Sequence, residues 1–296
     1  QEGLVAEWDL DLLRKDTPYP YRLHLEQHRL TPIVLEHVLR TGLVDVVFGH
    51  RFEAQRSQGD HLVVQAQGPN GMVEWTTQWL IGADGGRSQV RKQLDLSFDG
   101  HTFPETTILA TTHFPFHDHL PQLAFINYCW SEGGTFSLLR LKHLWRVSLY
   151  PDEGQSMEEA VGLDAVRDKL KRIAPGTQDH PVLEVRPYRI HQRVVQQYVV
   201  GRVVLVGDAA HLNSPSGGMG MNGGVHDAFN LCEKLLAVIQ QGQDESLLDR
   251  YERQRRTIAI EYINASTARN KQEIEERDPV QRKKTQDALR ATAADP

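Results

Sequence analysis

The sequence predicts an α/β fold, α+β over the whole chain, in which a three-layer ligand-binding domain is interrupted by a mainly β domain and then resumed. Three observations predict it. The run Val203-Val204-Leu205-Val206 is apolar at every position, the mark of a strand covered on both faces of a parallel sheet. Gly207-Asp208 follows directly, and a glycine-rich loop then leads into a helix with apolar periodicity. Upstream, short strand-like runs carrying much of the Phe and Trp follow one another without intervening helices, as in an inserted β domain.

At 296 residues the chain has the length of about two domains. Its 40% hydrophobic and 24% charged content is that of a packed globular protein. With 33 basic against 39 acidic residues the net charge is -6, which excludes a strongly basic nucleic-acid binder. Cys129 and Cys232 form neither a disulfide framework nor a zinc-ligand spacing, and suit a reducing, cytoplasmic setting. No apolar run approaches the roughly 20 residues of a membrane-spanning helix, so no integral membrane segment is expected. The N-terminus lacks the basic head and apolar stretch of a signal peptide. Because Gln1 rather than Met opens the chain, a processed product or a piece of a longer protein is expected.

In order, residues 1–20 read as irregular. Residues 29–40 form an amphipathic helix, with Leu30, Ile33, Val34 and Val38 on one face, Thr31-Pro32 at its start and Gly42 at its stop. Strands are expected over 44–48, 52–56, 61–67 and 73–81, the last two joined by the turn Gly68-Pro69-Asn70-Gly71. Residues 107–112, 124–130, 135–141 and 144–150 continue as strands, and 157–173 as one helix ended by Pro175-Gly176. A strand over 182–190 precedes the buried strand. Two helices follow it, one facing inward with Val225, Ala228, Phe229, Cys232, Leu236 and Ile239, the other with Leu247, Tyr251, Ile258 and Tyr262. Almost half of residues 271–296 are charged, so they read as a solvated helix end and a loose tail. The domains are then 1–100 with 181–270, an insert over 101–180, and the tail 271–296.

A carboxylate at the C-terminal end of a parallel strand stands where α/β proteins bind ligands, and Asp208 there can accept from sugar or polyol hydroxyls. The loop runs on through Pro215 to Gly217-Gly218-Met219-Gly220-Met221-Asn222-Gly223-Gly224 and enters a helix. Its glycines let backbone approach a flat ligand, and the helix start favours negative charge. Gly218-x-Gly220-x-x-Gly223 spells GxGxxG, but it lies twelve residues beyond Val206 instead of in the turn at the strand end, so it is no dinucleotide fingerprint. A second motif, Asp84-Gly85-x-x-Ser88-x-x-Arg91, follows an apolar strand, with Ser88 capping a short helix to about Leu94. Alone it also reads as an Asp-Gly hairpin turn.

Together these residues resemble the FAD-dependent aromatic hydroxylases, the flavoprotein monooxygenases of para-hydroxybenzoate hydroxylase type. That family's DG motif is matched by Asp84, Gly85, Ser88 and Arg91, and its GD motif by Gly207 and Asp208 with Pro215 and the loop to Asn222. Gln27 with Leu30 and Val34 is similar to the family's glutamine before a helix. The resemblance covers residues 20–265. It implies that Asp208 holds FAD hydroxyls, that Gln27 contacts the cofactor, and that Pro215, Gly218, Gly220, Met221 and Asn222 line the flavin ring. It further implies a DG motif serving both FAD and the nicotinamide donor. The reaction implied is hydroxylation of a phenolic or similar small molecule by O2 through a flavin hydroperoxide, with NADPH or NADH as co-substrate, in a protein that could be a homodimer.

The family begins with a βαβ unit carrying GxGxxG that has no counterpart before residue 20 here. The expectation is a family member without that unit, poorly stable alone and binding FAD weakly or not at all. No catalytic base stands out; Tyr128, Tyr188 and His191 qualify by type only. His113, His117 and His119 read as a solvated loop and not as a metal site, with strand alternation placing the last two on one face. His24, Glu26 and His28 miss the zinc-protease spacing, and His211 reads as packing locally. Two alternatives stay open: another flavin oxidoreductase of the same fold, although the halogenase Trp-x-Trp-x-Ile-Pro signature is absent, and an inactive fragment unable to hold FAD.

Overall fold

The computed structural model describes residues 3–131, 134–213, 218–263 and 278–294. A helical turn, Leu10–Lys15, stands where irregular chain was expected; the Asp9 carboxylate caps it by accepting the Asp11 N–H at 2.9 Å. Helix α1 (Gln27–Arg40) encloses Pro32 instead of starting on it. Its start is fixed by the extended Glu26, whose carbonyl accepts from Arg29 and Leu30, and Pro32 forgoes one interior bond. Residues 44–48 have strand composition but pair with no strand among the described residues, and Val44 to Phe48 expose their apolar side chains. A strand needs a neighbour to take its backbone hydrogen bonds.

β1 (Arg51–Gln58), β2 (His61–Gly68) and β3 (Gly71–Thr77) form an antiparallel meander with its second turn at Gly68 to Gly71. The one strand expected over 73–81 is two, because β4 (Leu80–Gly82) pairs in a different sheet. α2 (Gln89–Gln93), β5 (Phe98–Thr112), the turn α3 (Phe116–His119), β6 (Ile126–Ser131), β7 (Gly134–Arg140) and β8 (Trp145–Leu149) follow. The expected helix 157–173 is broken at Gly162 into α4 (Met157–Ala160), with a Ser156/Glu159 capping box, and α5 (Leu163–Ile173). Then come β9 (Val182–Val195), β10 (Val199–Val200), β11 (Val203–Leu205), β12 (His211–Leu212), α6 (Met219–Gln241) and α7 (Leu247–Thr257), the last running into a π turn, Ile258–Ile263. In the charged C-terminal segment Asp278 caps α8 (Pro279–Ala294), accepting from Val280 at 2.7 Å and Gln281 at 3.0 Å. Among the described residues no helix is long and apolar enough to cross a membrane.

The chain divides into two compact units, residues 46–104 with 190–271, and residues 1–45 with 105–189 and 272–296. In the first, β11 pairs antiparallel with β10 and parallel with β4. Val203, Val204 and Leu205 are all buried, as the uninterrupted apolar run requires. Val90 of α2, Leu231 and Leu235 of α6, and Leu248 and Tyr251 of α7 share their core. The inward face of α6 is not the expected one: Gly223, Asp227, Leu231, Lys234 and Leu235 are buried, while Val225, Ala228, Phe229, Cys232, Leu236 and Ile239 are exposed. Likewise Leu248, Tyr251 and Ala259 are buried, Ile258 is exposed, and the Tyr262 side chain lies outside what is described. In the second unit, the C-terminal part of β5 pairs with β8, β8 with β7 and β7 with β6, all antiparallel. Val166 and Leu170 of α5 pack with Ile108, Leu138 and Val147 of these strands, each such side chain contributing about 1.5–3 kcal/mol by leaving water.

Candidate cofactor-binding site

β4 and β11 run side by side in one direction, with Gly82 opposite Leu205, and the Val206 N–H donates to the Gly82 carbonyl at 3.0 Å. Both segments therefore leave the sheet at its C-terminal end. Asp84 lies just past one tip and Asp208 just past the other, both exposed.

The first loop is held by its own helix. The Asp84 carboxylate accepts the Gln89 and Val90 N–H groups at 2.7 and 3.2 Å, and the buried Ser88 hydroxyl accepts that of Arg91 at 2.9 Å. Ser88 is thus the N-cap expected of it. Arg91, 5% exposed, ties the two loops together. Its guanidinium donates to the Gly86 carbonyl at 2.8 Å and to the Ala209 carbonyl at 2.9 Å, and lies 3.9 Å from the centre of the Phe98 ring. Burial lowers the Arg91 pKa and Asp84 opposes it, but an arginine stays charged under these conditions.

The second loop is a tight turn, Gly207–Ala209, in which Gly207 takes the left-handed φ of +57° that glycine tolerates. It sits flush on α6: a Cβ added to Gly224 would stand 3.3 Å from the Gly207 Cα. Beneath lies a buried network not apparent in the sequence. The Asp227 carboxylate accepts from the Gly207 N–H at 3.0 Å, from His211 Nε2 at 2.7 Å and from Arg255 Nε at 2.6 Å. Burial pushes the Asp227 pKa up, but the His211, Arg255 and Gly207 contacts more than reverse it, and the carboxyl ends below its ordinary range. His211 is 2% exposed and packs locally, as expected. The signal that could have exposed this network is spacing: Asp227 interrupts a buried i, i+4 series from Gly223 to Leu231 and Leu235.

α6 begins after Gly218, with no side-chain cap on its first N–H groups among the described residues, and the Asn222 side chain donates to the Gly218 carbonyl at 2.8 Å. A Cβ at Gly218 or Gly220 would meet nothing within 4 Å among the described residues, and Met221 and Asn222 are exposed. Gly218 caps a helix and Gly223 is buried within it, so neither is a strand-end turn. This donor set fits FAD: an exposed carboxylate for sugar hydroxyls, bare glycine backbone for a flat ring, and helix N–H groups that favour negative charge. Pro215 lies outside the described residues. Gln27 is the exposed first residue of α1 and belongs to the other compact unit.

In that unit Tyr128 is 42% exposed, its pKa raised by burial with Arg22 opposing, and Tyr188 is exposed. His191 contacts the Thr102 hydroxyl at 2.8 Å. His117 and His119 do not alternate along a strand; they sit in the helical turn α3, stacked on Trp145 and Phe114 respectively. Among the described residues no group of three or more His, Cys, Asp or Glu could hold a metal ion.

Residues 4–266 match the family model described as FAD binding domain. The chain is 33% identical over 282 residues to para-nitrophenol 4-monooxygenase of a Pseudomonas species, covering 94% of this chain and 70% of that protein. It is 34% identical over 280 residues to 6-hydroxy-3-succinoylpyridine 3-monooxygenase of Pseudomonas putida, covering 92% and 69%. The crystal structure of p-nitrophenol 4-monooxygenase from Pseudomonas putida matches with a TM-score of 0.91 at 31% identity, covering 98% of this chain and 74% of that one.

Proposed function

Since this chain belongs to the FAD binding domain family, we propose that it hydroxylates a small phenolic ring with O2, taking electrons from NADPH or NADH. FAD-dependent aromatic hydroxylation is the activity; the phenolic substrate, O2 as oxygen source and the nicotinamide donor are the finer part of the reading. The observation that carries it is the meeting of the Asp84 and Asp208 loops at the tips of β4 and β11, tied by Arg91.

When bound, FAD supplies the two-electron redox chemistry and the activation of O2. The protein's own groups bind and orient. Asp208, exposed beside the buried Ala209 and Ala210, accepts hydrogen bonds from hydroxyls of the ribityl or ribose part. Gly218, Gly220, Met221 and Asn222 present backbone to the ring system, Pro215 is assigned to it as well, and the N-terminal N–H groups of α6 stabilise negative charge there. Asp84 and Gly85 shape the neighbouring loop. Ser88 and Arg91, whose side chains are spent inside the fold, act through the backbone they hold. We assign Gln27 to the cofactor and the β-rich residues 101–180 to the substrate.

The test is titration of the chain with FAD by flavin fluorescence, then NADPH and NADH oxidation with 4-nitrophenol and a phenol panel, with products read by mass spectrometry. Saturable binding and substrate-stimulated oxidation that adds one oxygen atom are expected. A chain that binds FAD and consumes NAD(P)H yet oxygenates no phenol overturns the hydroxylase reading.

A further inference from the structure

Building on the FAD reading, we propose that Asp227 is a positioning residue: one buried carboxylate staples both ends of the turn at residues 207–211 and so sets how Asp208 meets the cofactor. Asp227 Oδ2 accepts from the Gly207 N–H at the head of the turn and from His211 Nε2 at its foot. Oδ1 accepts from Arg255 Nε of α7, whose Nη2 also reaches the Gly223 carbonyl at 3.3 Å, so the carboxylate cannot swing. Asp227 is 0% exposed, and the exposed Asp208 projects from the span between the two staples.

The side chain of His211 is explained by this contact. The nitrogen facing the carboxylate carries the proton, while buried Nδ1 has no partner among the described residues and the ring stacks on Tyr198 at 6.2 Å and 13°. The Arg91 bond to the Ala209 carbonyl grips the middle of the turn from the other side. A short turn that starts on a left-handed glycine has many other conformations open to it, and two bonds to one fixed anion remove most of them. Helix α6 thereby does two things: its first turn meets the ring system and its third fixes the neighbouring loop, so the two parts of the site keep one spacing.

The test uses His211→Phe, His211→Gln and Asp227→Asn in the full chain. Amide hydrogen exchange is read by mass spectrometry over residues 205–213, with the β2–β3 hairpin and α5 as references. FAD affinity is titrated at a temperature where circular dichroism shows every variant folded. His211→Phe keeps the stacked ring but not the donor; faster exchange confined to the turn and roughly tenfold weaker FAD binding are expected. His211→Gln, which still donates, recovers most of both. Asp227→Asn goes further, toward roughly a hundredfold. Exchange over 205–213 equal to wild type, loosening spread equally into the references, or unchanged FAD affinity despite a loosened turn each overturns the proposal. If the wild-type chain takes up no FAD, there are no affinities to compare, and the exchange result alone upholds or overturns the staple.

Discussion

Arg91→Met tests whether the two loops form one site. Methionine keeps the length and apolar stem but loses every donor, so the Gly86 and Ala209 carbonyls and the Phe98 ring lose their partner together. A hydrogen bond to a charged group contributes about 1.5–3 kcal/mol and a cation–π contact about 0.5–2 kcal/mol. Relief of the burial that lowers the Arg91 pKa offsets part of this, leaving a net loss of about 2–4 kcal/mol. At about 2–4 °C per kcal/mol in a chain of this size, Tm falls by roughly 4–16 °C. Arg91→Lys keeps the charge, but one ammonium cannot serve two diverging carbonyls, so about half the loss is expected. Thermal unfolding by circular dichroism measures the stability, and FAD titration measures the site. Arg91→Met within about 0.5 kcal/mol of wild type, with FAD affinity unchanged, would refute the idea that this side chain joins the loops.

Asp208→Ala removes an exposed carboxylate, so FAD binding weakens by roughly tenfold or more while Tm hardly moves; equal affinity in a fluorescence titration would remove Asp208 from the site. Gly224→Ala gains about 1 kcal/mol of helix propensity but sets a methyl 3.3 Å from Gly207. Stability close to wild type with weaker FAD binding is expected, and improvement in both would show that the turn gives way freely. Because the folded Asp227 pKa is depressed, its contribution is present above the unfolded carboxylate pKa and is lost as pH falls through the folded value. Acid unfolding followed by tryptophan fluorescence should therefore lack that step in Asp227→Asn. Burial raises the Cys129 thiol to about 11, whereas Cys232 is exposed. At mildly alkaline pH iodoacetamide should label Cys232 and spare Cys129, as peptide mass mapping will show.

The legible parts of this fold are those written in local spelling. The uninterrupted apolar run at 203–206 can be satisfied only by cover on both faces, and the Ser88 cap follows from its place three residues before Arg91. The two motifs meet because each follows a strand and those strands are neighbours. Helix α6 marks the limit. It carries apolar residues on two faces, and hydropathy selects the stripe from Val225 to Ile239 over the one that includes Asp227. The core prefers the second because its acid is neutralised by Arg255, a partner 28 residues away that no periodicity reveals. Residues 44–48 fail in the opposite sense: they have the composition of a strand, but pairing is a property of two segments.

The pairing of β4 with β11 also orders events in time. About 120 residues separate the two strands, and closing a loop of that length is entropically costly and slow. β6, β7 and β8 are near neighbours along the chain and can zip together early. On a ribosome adding about 5–20 residues per second, the Asp84 loop waits of the order of ten seconds before its counterpart is even made. A ligand that grips both loops therefore finds only half of its site until the second strand and the turn behind it have been made.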